Sequence, residues 1–221
     1  MIKEYTTPIV SKEYITPDTI HFKLHKPESF TYLPGQFITI HIERESTERY
    51  KSYSIYNAPR KDTLDLCIRI VPGGFASTYF KQVEEGTHLT IKGPLGAFTI
   101  TEAKHHVFLG TGTGVAPLKA MIEHVLEETN NTSELIAGHK TRDDIIYKEG
   151  FESMEGKRFS YTPTLSRETW QGKEGYVQEH IETKPGTAYY VCGLKDFVLD
   201  AETKLQSLGV SEDAIHKERF S

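Results

Sequence analysis

Apolar and polar positions alternate along most of the first hundred residues, and the pattern then changes. Ile20, Phe22 and Leu24 alternate in "TIHFKLH", Ile38, Ile40 and Ile42 in "FITIHI", and Leu64, Leu66, Ile68 and Ile70 in "TLDLCIRIV". Leu89 and Ile91 in "HLTIKGP" and Phe98 and Ile100 in "AFTIT" continue the pattern. A period of two puts alternate side chains on one face of a strand. Runs of this kind, punctuated by Pro34-Gly35 and Gly93-Pro94, predict an antiparallel sheet or small barrel. Beyond about residue 102, short apolar runs ("HVFLG", "ELIAG", "FSYTPTLS", "AYYVCG") alternate with helical patterns. Leu118, Met121, Ile122 and Val125 recur at i, i+3, i+4 and i+7. Phe197, Val198, Ala201, Leu205 and Leu208 form a second helix face, and Gly209 is placed to end it. Buried strands alternating with helices predict a parallel sheet covered on both faces. The chain therefore reads as two domains, residues 1–102 and 103–221.

Ligands of parallel sheets bind at the carboxyl ends of the strands. Gly110, Gly138, Ser166 and Cys192-Gly193 fall at those ends. The stretch "VFLGTGTGVAPLKAMIEH" runs from strand through glycine turn to helix, with Pro117 suited to the first helical turn. It lacks the Lys of a phosphate-binding P-loop and the third glycine of the dinucleotide fingerprint. It is either an anion cradle at a helix N-terminus or a tight turn.

Two segments of the β half carry similar chemistry. In "RIVPGGFASTYFKQV", Gly73-Gly74 permits a sharp turn, and Ala76, Ser77 and Thr78 open a short helix. Ser77 is placed either to cap that helix or to offer its hydroxyl to a phosphate. In "ERYKSYSIYNAP", strand alternation puts Lys51 and Tyr53 on one face, with Ser52 and Ser54 on the other. A cation beside an aromatic ring suits a phosphate next to a flat heterocycle; an ordinary exposed edge strand is the alternative.

Composition narrows the classes. Of 221 residues, 37% are hydrophobic and 26% charged, as in an ordinary globular protein. The N-terminus shows no apolar leader and no run is long enough for a membrane helix, so a cytoplasmic protein without membrane contact is expected. Two distant cysteines, Cys67 and Cys192, can supply neither a four-cysteine cluster nor a disulfide framework. The ten histidines are scattered, and no metal site is expected. The first hundred residues carry 12 basic against 11 acidic side chains and the remainder 14 against 20, which gives no basic stripe for nucleic acid. No G-x-S-x-G nucleophile elbow is present.

The order "YKSYSIYN", "VPGGFAS", "GPLGAF", "GTGTGVAP", "LSR…GYV", "VCG", "ERF" resembles the ferredoxin–NADP⁺ reductase superfamily, as a short member without an iron–sulfur domain. The resemblance implies a six-stranded antiparallel β-barrel that binds FAD, followed by an α/β domain that binds NADPH or NADH. It implies that Lys51, Ser52, Tyr53 and Ser54 match the R-x-Y-[ST] signature, with Lys51 in place of the Arg. Tyr53 would stack on the flavin ring and Ser54 lie near its N5. Gly74, Ala76 and Ser77 would wrap the diphosphate, and the "GPxGxF" turn would close the barrel. Gly112, Thr113 and Gly114 would meet the nicotinamide nucleotide. Ser166 and Arg167, with Lys173 and Tyr176, would face the adenosine ribose. Cys192 and Gly193 would lie by the nicotinamide, Glu218 at the C-terminal motif, and Phe220 over the flavin face opposite Tyr53. Ser54, Cys192 and Glu218 are thus the candidate catalytic residues.

The implied activity is hydride transfer from NAD(P)H to FAD, then single electrons to an external acceptor. That acceptor would be ferredoxin, flavodoxin or an oxygenase component, served by a monomer. Reduction of free flavin, ferric chelates or quinone is the alternative, and a non-catalytic nucleotide-binding subunit a third. Arg44, Arg49, Lys51, Arg60 and Lys61 cluster around the proposed flavin strand, either to dock an acidic carrier or as an ordinary solvated loop.

Overall fold

The computed structural model describes residues 2–220. The first half forms six antiparallel strands: β1 (Lys3–Thr16), β2 (Thr19–His25), β3 (Phe37–Arg44), β4 (Thr47–Ser54), β5 (Thr63–Arg69) and β6 (His88–Leu95). Their order is β4-β3-β6-β1-β2-β5. The outer strands approach each other again where Ile55 bridges Leu66 and the Tyr56 N–H donates to the Asp65 carbonyl at 2.8 Å. The sheet thereby curls into a partly closed barrel. Its interior is the predicted alternating set: Ile20, Phe22, Leu24, Ile38, Ile40, Ile42, Leu64, Leu66, Ile68, Leu89 and Ile91. The short helix α1 (Phe75–Gln82) adds Phe80 to that core.

Two departures from the alternation have physical causes. Strand β1 shows no regular period because it serves two partners: Lys3–Pro8 pair with β6, and Ile9–Thr16 pair with β2. Pro8, without an N–H, sits where the strand changes partner. Strand β5 is buried on both faces, because Asp65 and Cys67 turn away from the barrel toward the second domain. The expected break at Gly93-Pro94 also moves. Strand β6 runs on to Leu95, paired with Phe37, and the chain turns at Gly96, φ +98°.

The second half is a parallel sheet of six strands, β7 (His105–Thr111), β8 (Thr132–His139), β9 (Phe159–Leu165), β10 (Lys173–Glu174), β11 (Thr187–Leu194) and β12 (Ile215–Phe220). The order is β10-β9-β8-β7-β11-β12. Helices α2 (Val115–Glu128) and α3 (Lys148–Met154) cover one face, and α4 (Lys195–Ser207) covers the other. The central strands β7, β8 and β11 feed both layers. In β7, Phe108 packs with α2, while Val107 and Leu109 pack toward α4. That is why these strands read as unbroken apolar runs. Gly209, φ +85°, follows the end of α4 as expected, but Leu208 lies past the last helical turn and is exposed. The α2 side of the sheet also takes in Tyr56, Cys67 and Phe98 from the barrel, so one core runs across both halves.

Candidate functional site

The candidate site draws on strand β4, the turn before α1 and the turn at the end of β7. On β4, Arg49, Lys51 and Tyr53 lie opposite Ile42, Ile40 and Ile38 of β3, so they share a face, with Ser52 and Ser54 on the other. Tyr53 is half-buried, edge-on to Phe80 of α1 at 5.3 Å between ring centroids, and burial raises its hydroxyl pKa. Lys51 and Ser52 are exposed. Arg49 lies over the Phe75 ring at 4.8 Å, with Arg44 also against that ring. The "YKSYSIY" tyrosines separate. Tyr50 stacks on His41 on the other face of β4, and Tyr56 is buried between the domains.

The turn before α1 differs from the expectation in one respect. The helix begins at Phe75 with Gly74 as its cap, so Ser77 is the third helical residue and not the cap. Its buried Oγ accepts the Val71 N–H at 2.9 Å and so tightens the turn. Gly73 takes φ +71° with no atom within 4 Å of where a Cβ would stand, leaving its backbone open to a ligand. Gly74 and Ala76 are half-buried beside it.

At the end of β7, Gly112–Gly114 form a single 3-10 turn leading into α2. The three residues differ. Gly112, φ +51°, has open space on its Cβ side, and Thr113 is half-buried. Gly114 packs on the end of β11, where a Cβ would stand 2.3 Å from the Cys192 carbonyl. Gly193 is confined likewise, a Cβ there lying 2.3 Å from Thr111 Oγ1. The Thr111 hydroxyl and the Thr164 hydroxyl on β9 are buried without a hydrogen-bond partner. Sequence reasoning passed over both threonines, because hydroxyls at strand ends carry no motif.

Ser54, Cys192 and Glu218 come together. Strands β7, β11 and β12 align Gly110, Cys192 and Glu218 across adjacent positions. The Ser54 hydroxyl, from the barrel, lies 3.5 Å from Glu218 Oε2. Desolvation raises the Glu218 carboxyl to about 7, against a smaller lowering by the Ser54 hydrogen bond. Burial pushes the Cys192 thiol well up, with the Glu218 charge adding to it, so it stays a thiol and is no nucleophile. A cleft of about 480 Å³ opens beside Glu218, lined by Phe98, Thr99, Thr101 and His216 among others. Phe220, at the end of β12, packs partly buried against the core that spans both domains.

A second cleft of about 250 Å³ holds Ser166 and Arg167 with Glu168, Glu174 and Gly175. Ser166 is fixed by its N–H donating to the His139 carbonyl at 3.0 Å. Lys173 pairs with Thr164 on the neighbouring strand and is exposed, as is Tyr176; neither lines the cleft. Instead Glu168 does, held to the Arg142 side chain at 2.7 Å and to the Arg142 N–H at 2.9 Å. The proposed basic patch also shrinks. Arg60 pairs with Glu128 at 2.8 Å and Lys61 with Glu127 at 3.7 Å, both on α2. Arg44 donates to the Phe75 carbonyl, which leaves Arg49 and Lys51 as the cations of β4 beside Tyr53.

A curled antiparallel sheet joined to a parallel sheet, each with a glycine turn, is the frame shared with oxidoreductases that bind a flavin and a nicotinamide nucleotide. Residues 6–100 match the family model of the oxidoreductase FAD-binding domain, and residues 108–203 that of the oxidoreductase NAD-binding domain. The chain belongs to the ferredoxin–NADP⁺ reductase superfamily of flavoprotein oxidoreductases. It is 30% identical over 220 residues to ferredoxin–NADP reductase B of Sorangium cellulosum, covering 91% of this chain and 90% of that one. It is 30% identical over 201 residues to the anthranilate 1,2-dioxygenase electron transfer component of Acinetobacter baylyi, covering 86% of this chain. Of that relative it spans only 58% of the length. Its fold matches a ferredoxin NADP⁺ reductase from Neisseria gonorrhoeae with bound FAD and NADP at a TM-score of 0.89, with 22% identity and 98% of each chain covered.

Proposed function

We propose that this chain takes hydride from NAD(P)H onto a bound FAD and passes electrons singly to a separate acceptor, a ferredoxin, a flavodoxin or an oxygenase component. The observation that carries the reading is the convergence of Ser54, from the barrel, with Glu218 and Cys192, from the parallel sheet. A contact of this kind between a flavin-binding and a nicotinamide-binding domain has one economical use, which is to bring two rings together.

The residues fit both cofactors. The open Cβ side of Gly73 and the cations of Arg49 and Lys51 suit a diphosphate, and the half-buried Tyr53 offers a ring face. The open Gly112 and the unpartnered Thr111 hydroxyl suit the second nucleotide. FAD, when bound, supplies a ring that accepts two electrons with hydride and releases them one at a time. The chain's own residues do the rest. Tyr53 and Phe220 confine the ring. Lys51, Ser52, Gly74, Ala76 and Ser77 hold its diphosphate side. Gly112, Thr113, Gly114 and Gly193 set the nicotinamide edge, and Ser166 and Arg167 the adenosine ribose. Ser54 and Glu218 hold a proton beside the ring nitrogen. The buried Cys192 excludes water where the two rings meet.

The purified protein is expected to be yellow, or to bind FAD on addition, and to bleach anaerobically with NADPH or NADH. A colourless protein that takes up no flavin would overturn this reading. The cleft beside Glu218 favours a second reading, reduction of a small acceptor such as free flavin, a ferric chelate or a quinone. Steady-state turnover with those acceptors against reduced-carrier assays separates the two.

A further inference from the structure

The interface between the domains contains a buried ion pair that neither nucleotide turn uses. Lys119 and Glu123, one turn apart on α2, are only 4% and 8% exposed, and their charged atoms lie 2.5 Å apart. Both reach across to the barrel. Lys119 Nζ donates to the Tyr56 carbonyl at 3.2 Å, and Glu123 Oε2 accepts the Ala58 N–H at 2.8 Å. The Lys119 ammonium also lies 4.5 Å from the centroids of the Tyr56 and Tyr147 rings. Asp65, facing the same interface from β5, is desolvated, which raises its carboxyl, but His21 and Thr63, with Lys119 as a lesser influence, bring it below the usual value.

Placing two charges out of water is costly, and well-packed apolar residues often serve stability as well or better. What an ion pair adds is direction: each partner accepts only a few positions of the other. Here those positions are fixed by chain geometry. Tyr56 follows the β4 residues Tyr53 and Ser54 by two to three positions, and Lys119 follows the Gly112–Gly114 turn by little more than one helical turn. One end of the contact is thus tied closely to Tyr53 and Ser54 of β4, and the other to the Gly112–Gly114 turn. Farther along the same face of α2, Glu127 and Glu128 pair with Lys61 and Arg60 in solvent, where such pairs contribute little.

We infer that Lys119 and Glu123 are positioning residues that set the approach of the nicotinamide to the flavin, by fixing α2 to the backbone of Tyr56 and Ala58. The inference rests on the proposed hydride transfer. Lys119→Met removes the cation and keeps the stem. The flavin-loaded variant is expected to bind NADP⁺ or NAD⁺ with little change, but its limiting rate of flavin reduction in stopped flow should fall about tenfold to a hundredfold, the effect of a misplacement on the order of 1 Å. The charge-transfer absorbance of the nucleotide–flavin complex should weaken in parallel, which loss of stability alone would not produce. Glu123→Gln keeps the shape and an acceptor for the Ala58 N–H. It carries the test, with the same outcomes, where Lys119→Met leaves no folded protein. A limiting rate within about twofold of wild type, at undiminished charge-transfer absorbance, overturns the inference while leaving hydride transfer standing. Wild-type protein that neither nucleotide reduces removes the reading of the site, and this inference with it.

Discussion

Glu218 shows how one residue's surroundings fix its chemistry. Its carboxyl rises from 4.5 to about 7, chiefly because it is desolvated at the junction of β12 and the barrel. A carboxyl whose folded value is raised favours folding fully below its unfolded value and loses that contribution as pH climbs through the folded one. Glu218→Gln lacks the titration and keeps a partner for Ser54. Flavin-free wild type and variant should therefore unfold alike near pH 4.5, and the variant should be more stable at pH 8 by roughly 1–3 kcal/mol. Equal denaturation midpoints at both pH values would contradict this. Glu168 is the second case. It puts a negative charge in the cleft with Ser166 and Arg167, proposed above for the adenosine ribose and hence for the 2′-phosphate of NADPH, and it occupies Arg142. Glu168→Gln should raise the NADPH to NADH ratio of kcat/KM by roughly threefold to tenfold, by removing a like charge at close range. Arg167→Ala should lower the ratio. A ratio unmoved by either change would exclude this cleft from nucleotide choice.

At the level of elements, the turn at Gly112–Gly114 makes two different demands on glycine. Gly114 needs its missing Cβ for packing against the Cys192 carbonyl, and Gly112 needs its positive φ with open space beside it. Gly114→Ala should therefore destabilise the fold by about 1–3 kcal/mol through overpacking. Gly112→Ala should cost only about 1 kcal/mol of backbone strain, but weaken nucleotide binding by filling the ligand's side of the turn. Thermal unfolding and NADP⁺ titration of the two variants check the contrast, and equal losses of stability would refute it. The difference was not legible in "GTGTG", because both residues look alike until β11 is brought alongside. Other elements divide the same way. Strands β2, β3 and β5 could be read from their period, since one face of each fills the barrel core. Strand β1 could not, because a strand that changes partner midway has no single inward face. Strand β12 was readable only as the motif "ERF", its six residues being too few and too charged to announce a strand. Helix α3, seven residues long, likewise left no sequence period. The Ser54, Cys192 and Glu218 grouping came from the order of motifs, while Lys119, Glu123 and Arg142 were invisible because their partners lie in distant segments.

For the whole molecule, the question is whether two domains behave as one. Domains joined by a small polar interface move and unfold separately. Here Tyr56, Cys67 and Phe98 of the barrel are buried in the same core as Phe108, Val115 and Met121. Gly35 shows how closely the halves fit, since a Cβ there would lie 2.2 Å from the Met121 side chain. If residues 56–58 detached while α2 stayed folded, the Lys119–Glu123 pair would lose the Tyr56 carbonyl and the Ala58 N–H, and those two backbone groups would lose their partners. Partial unfolding of either half would thus expose apolar surface on the other. Calorimetry of the flavin-free protein should show a single transition, with calorimetric and van't Hoff enthalpies in agreement. A ligand held by the barrel alone should then protect both halves. FAD at about a hundred times its dissociation constant should add roughly 2.7 kcal/mol to the one transition. Hydrogen exchange should slow in β7 and β11 as much as in β3. Two resolved transitions, with only the barrel's moved by FAD, would show instead that the shared core is too weak to couple the domains, and that α2 can release residues 56–58 without unfolding.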